Sequence, residues 1–140
     1  MFFKKKYVDE LLHPTIEDFD TIVGASTVIH GRIVTDRGLR IDGVVIGDVE
    51  AQQGSQISVA LGPTGRIDGD VHAHRVLNAG CVNGNIYANE RVELRPGAIV
   101  NGDITYGQLG LESGATISGL MISKTGEEPV GSYDSSMLVR

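Results

Sequence analysis

The chain has 140 residues, enough for one domain and short for two, with 41% hydrophobic residues, only 5% aromatic and no Trp. Its formal net charge of -6 argues against a general nucleic-acid binder, and its single Cys excludes an internal disulfide. No apolar stretch approaches the roughly 18 residues that cross a bilayer, and no apolar h-region follows Lys4-Lys5-Lys6, so the expected compartment is the cytoplasm.

Residues 1–20 differ from the rest. Met1-Phe2-Phe3 leads into Lys4-Lys5-Lys6, and Tyr7, Val8, Leu11 and Leu12 share one side of a short helix that Pro14 would stop. Phe side chains enter a bilayer interface while lysines meet anionic head groups, each contributing roughly 1 kcal/mol. This arm is read as flexible and as a membrane contact through Met1, Phe2, Phe3, Lys4, Lys5 and Lys6. Such weak binding becomes firm when many copies act together.

From residue 21 a short phrase repeats. It is clearest as Ile67-Asp68-Gly69-Asp70-Val71 and returns around Gly31, Gly47, Gly84, Gly102 and Gly119. Successive steps are 16, 22, 15, 18 and 17 residues, a period near the short end of the solenoid range. Columns appear when the copies are aligned. Ile29, Val45, Ile67, Val82, Val100 and Ile117 precede the glycine, and Ile33, Val49, Val71, Ile86, Ile104 and Met121 follow the phrase. Later apolar pairs are two apart: Leu39 and Ile41, Ile57 and Val59, Val92 and Leu94, Leu109 and Leu111. Val76 lacks a clear partner. A spacing of two is the strand period. One unit cannot bury its apolar side alone, so copies must stack. The expectation is an all-β parallel β-helix of about six coils over 21–123, about 29 Å long at roughly 4.8 Å per coil. Leu61-Gly62-Pro63-Thr64 in the 22-residue step is taken as a loop pushed out of one coil. Gly24, Gly65, Gly80, Gly97 and Gly114 mark a second corner that glycine suits. Residues 124–140 lose the columns and are read as a disordered tail.

The column Asp48, Asp70, Asn85 and Asp103 offers one carboxylate or amide per coil, too few for a calcium ladder, and is read as turn residues capping their own backbone. His72 and His74 share an outward face without a third ligand, and Cys81 faces outward with no catalytic partner. No Gly-x-x-x-x-Gly-Lys-Ser/Thr loop occurs. No catalytic, cofactor or metal residue is assigned. The ends carry more information. A β-helix has open edges that invite pairing, and capping elements normally blunt them. Here Ile22, Val23, Ile29 and Ile33 occupy the first coil, and Leu120, Met121 and Ile122 the last, with Arg32 and Leu120 where other copies have Asp or Asn. These seven apolar residues are the expected interface for self-association.

The entry Thr21-Ile22-Val23-Gly24, the repeated Val/Ile-x-Gly-Asp-Ile/Val phrase, and Gly97-Ala98-Ile99-Val100-Asn101-Gly102-Asp103-Ile104 together resemble the bactofilin family. So does the layout of one repeat domain between a short arm and a short tail, although 50–66 departs from the regular rhythm. The resemblance implies a right-handed β-helix that polymerises end to end without nucleotide, possible lateral bundling included, in a bacterial cytoskeleton. Met1-Phe2-Phe3-Lys4-Lys5-Lys6 looks like the family's membrane motif. It implies a peripheral position on the inner face of the cytoplasmic membrane, a role in cell shape, and cell-wall hydrolases, synthases or polarity proteins as clients. The alternative is a hexapeptide-repeat acyltransferase or β-helical carbonic anhydrase. That class keeps a six-residue step and an inter-subunit His, and steps of 15 to 22 break the rhythm.

Overall fold

The computed structural model describes residues 19–124 together with the strand segments Val130–Gly131 and Leu138–Val139. Residues Met1, Phe2, Phe3, Lys4, Lys5 and Lys6 and the expected short helix lie outside the described residues. Among the described residues every regular element is a β-strand, and the strands pair in parallel.

The chain winds through six coils of three strands. The first holds β1 (Thr21–Val23), β2 (Val28–His30) and β3 (Ile33–Thr35), and the second β4 (Leu39–Ile41), β5 (Val44–Ile46) and β6 (Val49–Ala51). The third holds β7 (Ser58–Leu61), β8 (Arg66–Asp68) and the start of β9 (Val71–Asn78), which turns the corner into the fourth. There it is followed by β10 (Cys81–Asn83) and the start of β11 (Ile86–Leu94), whose end opens the fifth coil with β12 (Ile99–Asn101) and β13 (Ile104–Tyr106). The sixth holds β14 (Gln108–Leu111), β15 (Thr116–Ser118) and β16 (Met121–Ser123). Stacking makes three faces. The second face is the sheet β2-β5-β8-β10-β12-β15. The first and third are joined where β9 and β11 run through the corner.

The expected columns are the core. Val45, Ile67, Val82, Val100 and Ile117 are buried, as are Val49, Val71, Ile86 and Ile104. Alternation puts these residues inside because each strand has only one face that escapes water. Stacking like on like then removes each from solvent, stabilising the fold by roughly 1.5–3 kcal/mol per large aliphatic side chain.

The irregular coil is built differently from the expectation. Gly62 to Gly65 is no extra loop, because Gly65 N–H donates to the Gly62 carbonyl in a turn that recurs at Gly24–Thr27, Arg95–Ala98 and Glu112–Ala115. The additional residues are Gln52 to Gln56, between β6 and β7, where Ser55 N–H donates to the Gln52 carbonyl. The register places Val59 beside Leu39 and Leu61 beside Ile41, so the inward pair is Val59 and Leu61. Ile57 is a further buried residue that ties the insertion back to the core, its carbonyl accepting from His74 and Arg75 N–H. The partner of Val76 is Asn78, fully buried in the column of Leu61 and Leu94. Its Oδ1 accepts from Gly80 N–H at 2.8 Å and closes a turn two residues shorter than its neighbours, a job no aliphatic side chain performs. In the stretch expected to carry no structure, β17 (Val130–Gly131) pairs with β14 and β18 (Leu138–Val139) with β15.

Candidate functional site

The repeated phrase is a device for close stacking. At Gly69, Gly84 and Gly102 a Cβ would run into the carbonyl of the glycine one coil earlier, so only glycine lets successive coils approach. The residue after it uses that proximity. Asp70 N–H donates to Asp48 Oδ1 at 2.8 Å, Asn85 N–H to Asp70 Oδ1 at 2.9 Å, Asp103 N–H to Asn85 Oδ1 at 2.9 Å, and Leu120 N–H to Asp103 Oδ1 at 2.9 Å. The Asp/Asn column therefore caps the next coil's backbone, not its own turn as expected from sequence. The ladder stops at both ends, where Arg32 and Leu120 supply no such acceptor.

The two ends differ in what covers them. At the first coil β1, β2 and β3 each pair, among the described strands, on one side only, with β4, β5 and β6, and no described residue stands within 4 Å of a Cβ built on Gly31. At the last coil β14 and β15 are covered by β17 and β18, whereas β16 pairs among the described strands only with β13. Parallel edges of this kind present unpaired N–H and C=O groups to any strand that approaches.

The structure distributes the seven candidate interface residues over three environments. Ile29, Ile33 and Met121 point inward and are half-buried against the core, the state of core residues with a neighbour on one side only. Ile22, Leu120 and Ile122 are exposed at 62%, 42% and 43%, with Ile22 and Ile122 on the flanks of the end coils. Val23 is buried beside Ile41 and already belongs to the core.

Other singled-out residues have structural partners. His72 stacks on Tyr87 with ring centroids 4.5 Å apart, and His74 Nε2 lies 2.7 Å from Glu90 Oε2, with Arg75 on the other Glu90 oxygen. Glu50, Ser55, His72, His74, Tyr87 and Asn89 line an open cleft beside the insertion. His72 and His74 do not converge there, and among the described residues no cluster of three His, Cys, Asp or Glu side chains is placed to hold a metal. Cys81 flanks the inward Val82 and lies half-buried on the outward side of β10.

Sequence reasoning missed a second ladder on the outside of the rod. Arg66 donates to both oxygens of Asp68 at 2.9 and 2.7 Å. Asn83 Nδ2 donates to Asp68 Oδ1, and Asn101 Nδ2 to Asn83 Oδ1, each at 2.8 Å. The Arg66 guanidinium, then the Asn83 amide, hold the Asp68 carboxyl below the usual carboxylate range. The signal lay in the residue before each phrase glycine, where Asp68, Asn83 and Asn101 stand in one column.

A family model described as Bactofilin, polymer-forming cytoskeletal, matches residues 21–121. Bactofilin BacO of Myxococcus xanthus (strain DK1622) is 34% identical over 100 residues, covering 71% of this chain and 76% of that protein. Bactofilin BacP of the same organism is 34% identical over 101 residues, covering 71% of this chain and 40% of that protein. No solved structure matches the chain at a significant level.

Proposed function

Because the chain belongs to the bactofilin family of polymer-forming cytoskeletal proteins, we propose that it is a non-enzymatic scaffold whose rods join through their end coils without nucleotide. The carrying observation is the open strand edge at each end, all three strands of the first coil and β16 of the last, with half-buried Ile29, Ile33 and Met121 and exposed Ile22, Leu120 and Ile122. Stacking a second rod on such an edge continues both the hydrogen-bond pattern and the apolar columns, so the fold's own stabilising interactions also drive assembly.

The arm Met1-Phe2-Phe3-Lys4-Lys5-Lys6 ties the polymer to the inner face of the cytoplasmic membrane. Its aromatic and cationic residues support that reading, and a filament multiplies the affinity of each arm. Held there, the polymer positions cell-wall hydrolases or synthases, or polarity proteins, and so contributes to cell shape. Electron microscopy of the purified protein without nucleotide tests assembly. Filaments are expected, and uniform monomers at every salt concentration would refute the reading.

A further inference from the structure

The last coil carries the beginning of a seventh. Val130 lies opposite Gly110 and Gly131 opposite Leu111, 20 residues further on, and Leu138 lies opposite Ile117 and Val139 opposite Ser118, 21 residues further on. Both steps fall within the 15 to 22 residues that separate the phrase glycines. β17 thus extends the first face and β18 the second, in the order the coils follow. This added turn is a poor copy of a coil. Its strands have two residues each, where β1, β2 and β3 have three. Arg140 stands two places after Leu138, where the coils have the glycine that close stacking requires. Burial follows the cover. In the column before the phrase glycine, Ile117 beside β18 is fully buried, whereas Ile29 at the other end is only half-buried. In the column after the phrase, with no added strand among those described at either end, Ile33 and Met121 are both half-buried. The first face does not distinguish the ends, since Val23 and Leu111 are both buried.

We propose that β17 and β18 are an intramolecular cap, which competes with a second copy of this chain for the edges of β14 and β15 and so sets the concentration at which rods join at this end. The inference rests on the assembly reading above. The outer edge of a strand holds one neighbour. While β17 and β18 are seated, no end coil of another rod, whichever way it faces, reaches the backbone groups of β14 and β15. Among the described strands β16 alone keeps an open edge on the last coil. That edge gives an incoming coil its first foothold, from which the two cap strands are displaced in turn.

Strand length and tethering together make this a switch. An incoming first coil offers three strands of three residues, and the tail offers two strands of two, so a rod is the better partner contact for contact. The tail, however, is part of the same chain, and its effective concentration at the edge does not fall on dilution. The cap therefore prevails in dilute protein and a second rod prevails above a threshold. Only uncapped rods join, so the apparent affinity of this end falls in proportion to their fraction, about tenfold when about nine rods in ten are capped.

The test is pelleting of the full chain over a concentration series, with two variants that act in opposite directions. Val130→Pro, Gly131→Pro, Leu138→Pro and Val139→Pro together remove every N–H donor of β17 and β18 and fix φ away from the strand value. This uncapped variant should assemble at a concentration about tenfold lower than wild type. Ser118→Cys with Val139→Cys, in a Cys81→Ser background, locks the cap. These register neighbours lie across one strand spacing, about 4.8 Å, a Cα separation that a disulfide spans. Oxidised with diamide, the locked protein should stay in the supernatant, and dithiothreitol should restore pelleting at the wild-type concentration. An uncapped variant that assembles at the wild-type concentration or above it overturns the inference and leaves end-to-end assembly intact. So does an oxidised lock that pellets like its reduced form, or a cysteine pair that does not crosslink. If wild type, the uncapped variant and the reduced lock all remain monomeric, the assembly reading falls and the cap falls with it.

Discussion

A side chain at Gly84 would meet the carbonyl oxygen of Gly69, with Asp70 Oδ1 3.0 Å away. At Gly97 no described residue stands within 4 Å of an added Cβ, and the demand is conformational, φ being +86°. The two positions therefore fail differently. Gly84→Ala should cost about 3 kcal/mol, because the backbone of the preceding coil at Gly69 must move away. Gly97→Ala should cost about 1–2 kcal/mol, the penalty of a left-handed backbone. Urea denaturation at fixed protein concentration separates the two, and equal losses would contradict the assignment. Asp68 makes a second prediction. Arg66 and Asn83 stabilise its anion, so its folded pKa lies below the ordinary 3.8. The unfolded chain then binds more protons in that window. The stabilisation is fully present above pH 3.8 and is lost as pH falls through the folded value. Asp68→Asn should accordingly flatten the fall in melting temperature between about pH 5 and about pH 2.5 relative to wild type. Identical slopes would show that Asp68 contributes nothing to acid sensitivity.

At the scale of the coil, the columns were legible and their polar wiring was not. Val, Ile and Leu at spacing two announce an inward face whatever the neighbouring coil contains. Whether Asn85 caps its own turn or the next coil depends on how closely the coils approach, which a single repeat does not reveal. The structure puts Asp103 N–H on Asn85 Oδ1 at 2.9 Å. Asn85→Ala should leave that donor unpaired at a cost of about 1–2 kcal/mol. Asn85→Asp keeps the acceptor but places a carboxylate between Asp70 and Asp103, so its denaturation midpoint should fall between alanine and wild type. An alanine variant as stable as wild type would remove the ladder's role. The insertion was misplaced for a related reason. Gly62-Pro63 looks like a loop in sequence, yet its turn recurs in three other coils, whereas Gln52 to Gln56 carries weaker turn signals. Asn78 was passed over because an apolar partner for Val76 was sought, and the short turn there needs an acceptor more than it needs a methyl group.

For the whole molecule, function is expected at the ends and on the arm. Leu120→Arg adds a charge where Leu120 is exposed beside the β16 edge, so the protein should stay folded and lose filaments in pelleting assays. Intact filaments would move the interface elsewhere. Phe2→Asp removes an apolar anchor and adds a negative charge beside Lys4-Lys5-Lys6, and should abolish co-sedimentation with anionic vesicles while filaments persist. Unchanged co-sedimentation would detach the arm from the membrane role. The residues alone determined an all-β stack of about six coils, because a repeating unit of period two buries its apolar side only by stacking. Tertiary structure decided the register of the irregular coil, the direction of the Gly-Asp ladder, and the covering of β14 and β15 by β17 and β18. Each of these depends on which residues of adjacent coils come opposite one another, and steps of unequal length conceal that until the chain is wound.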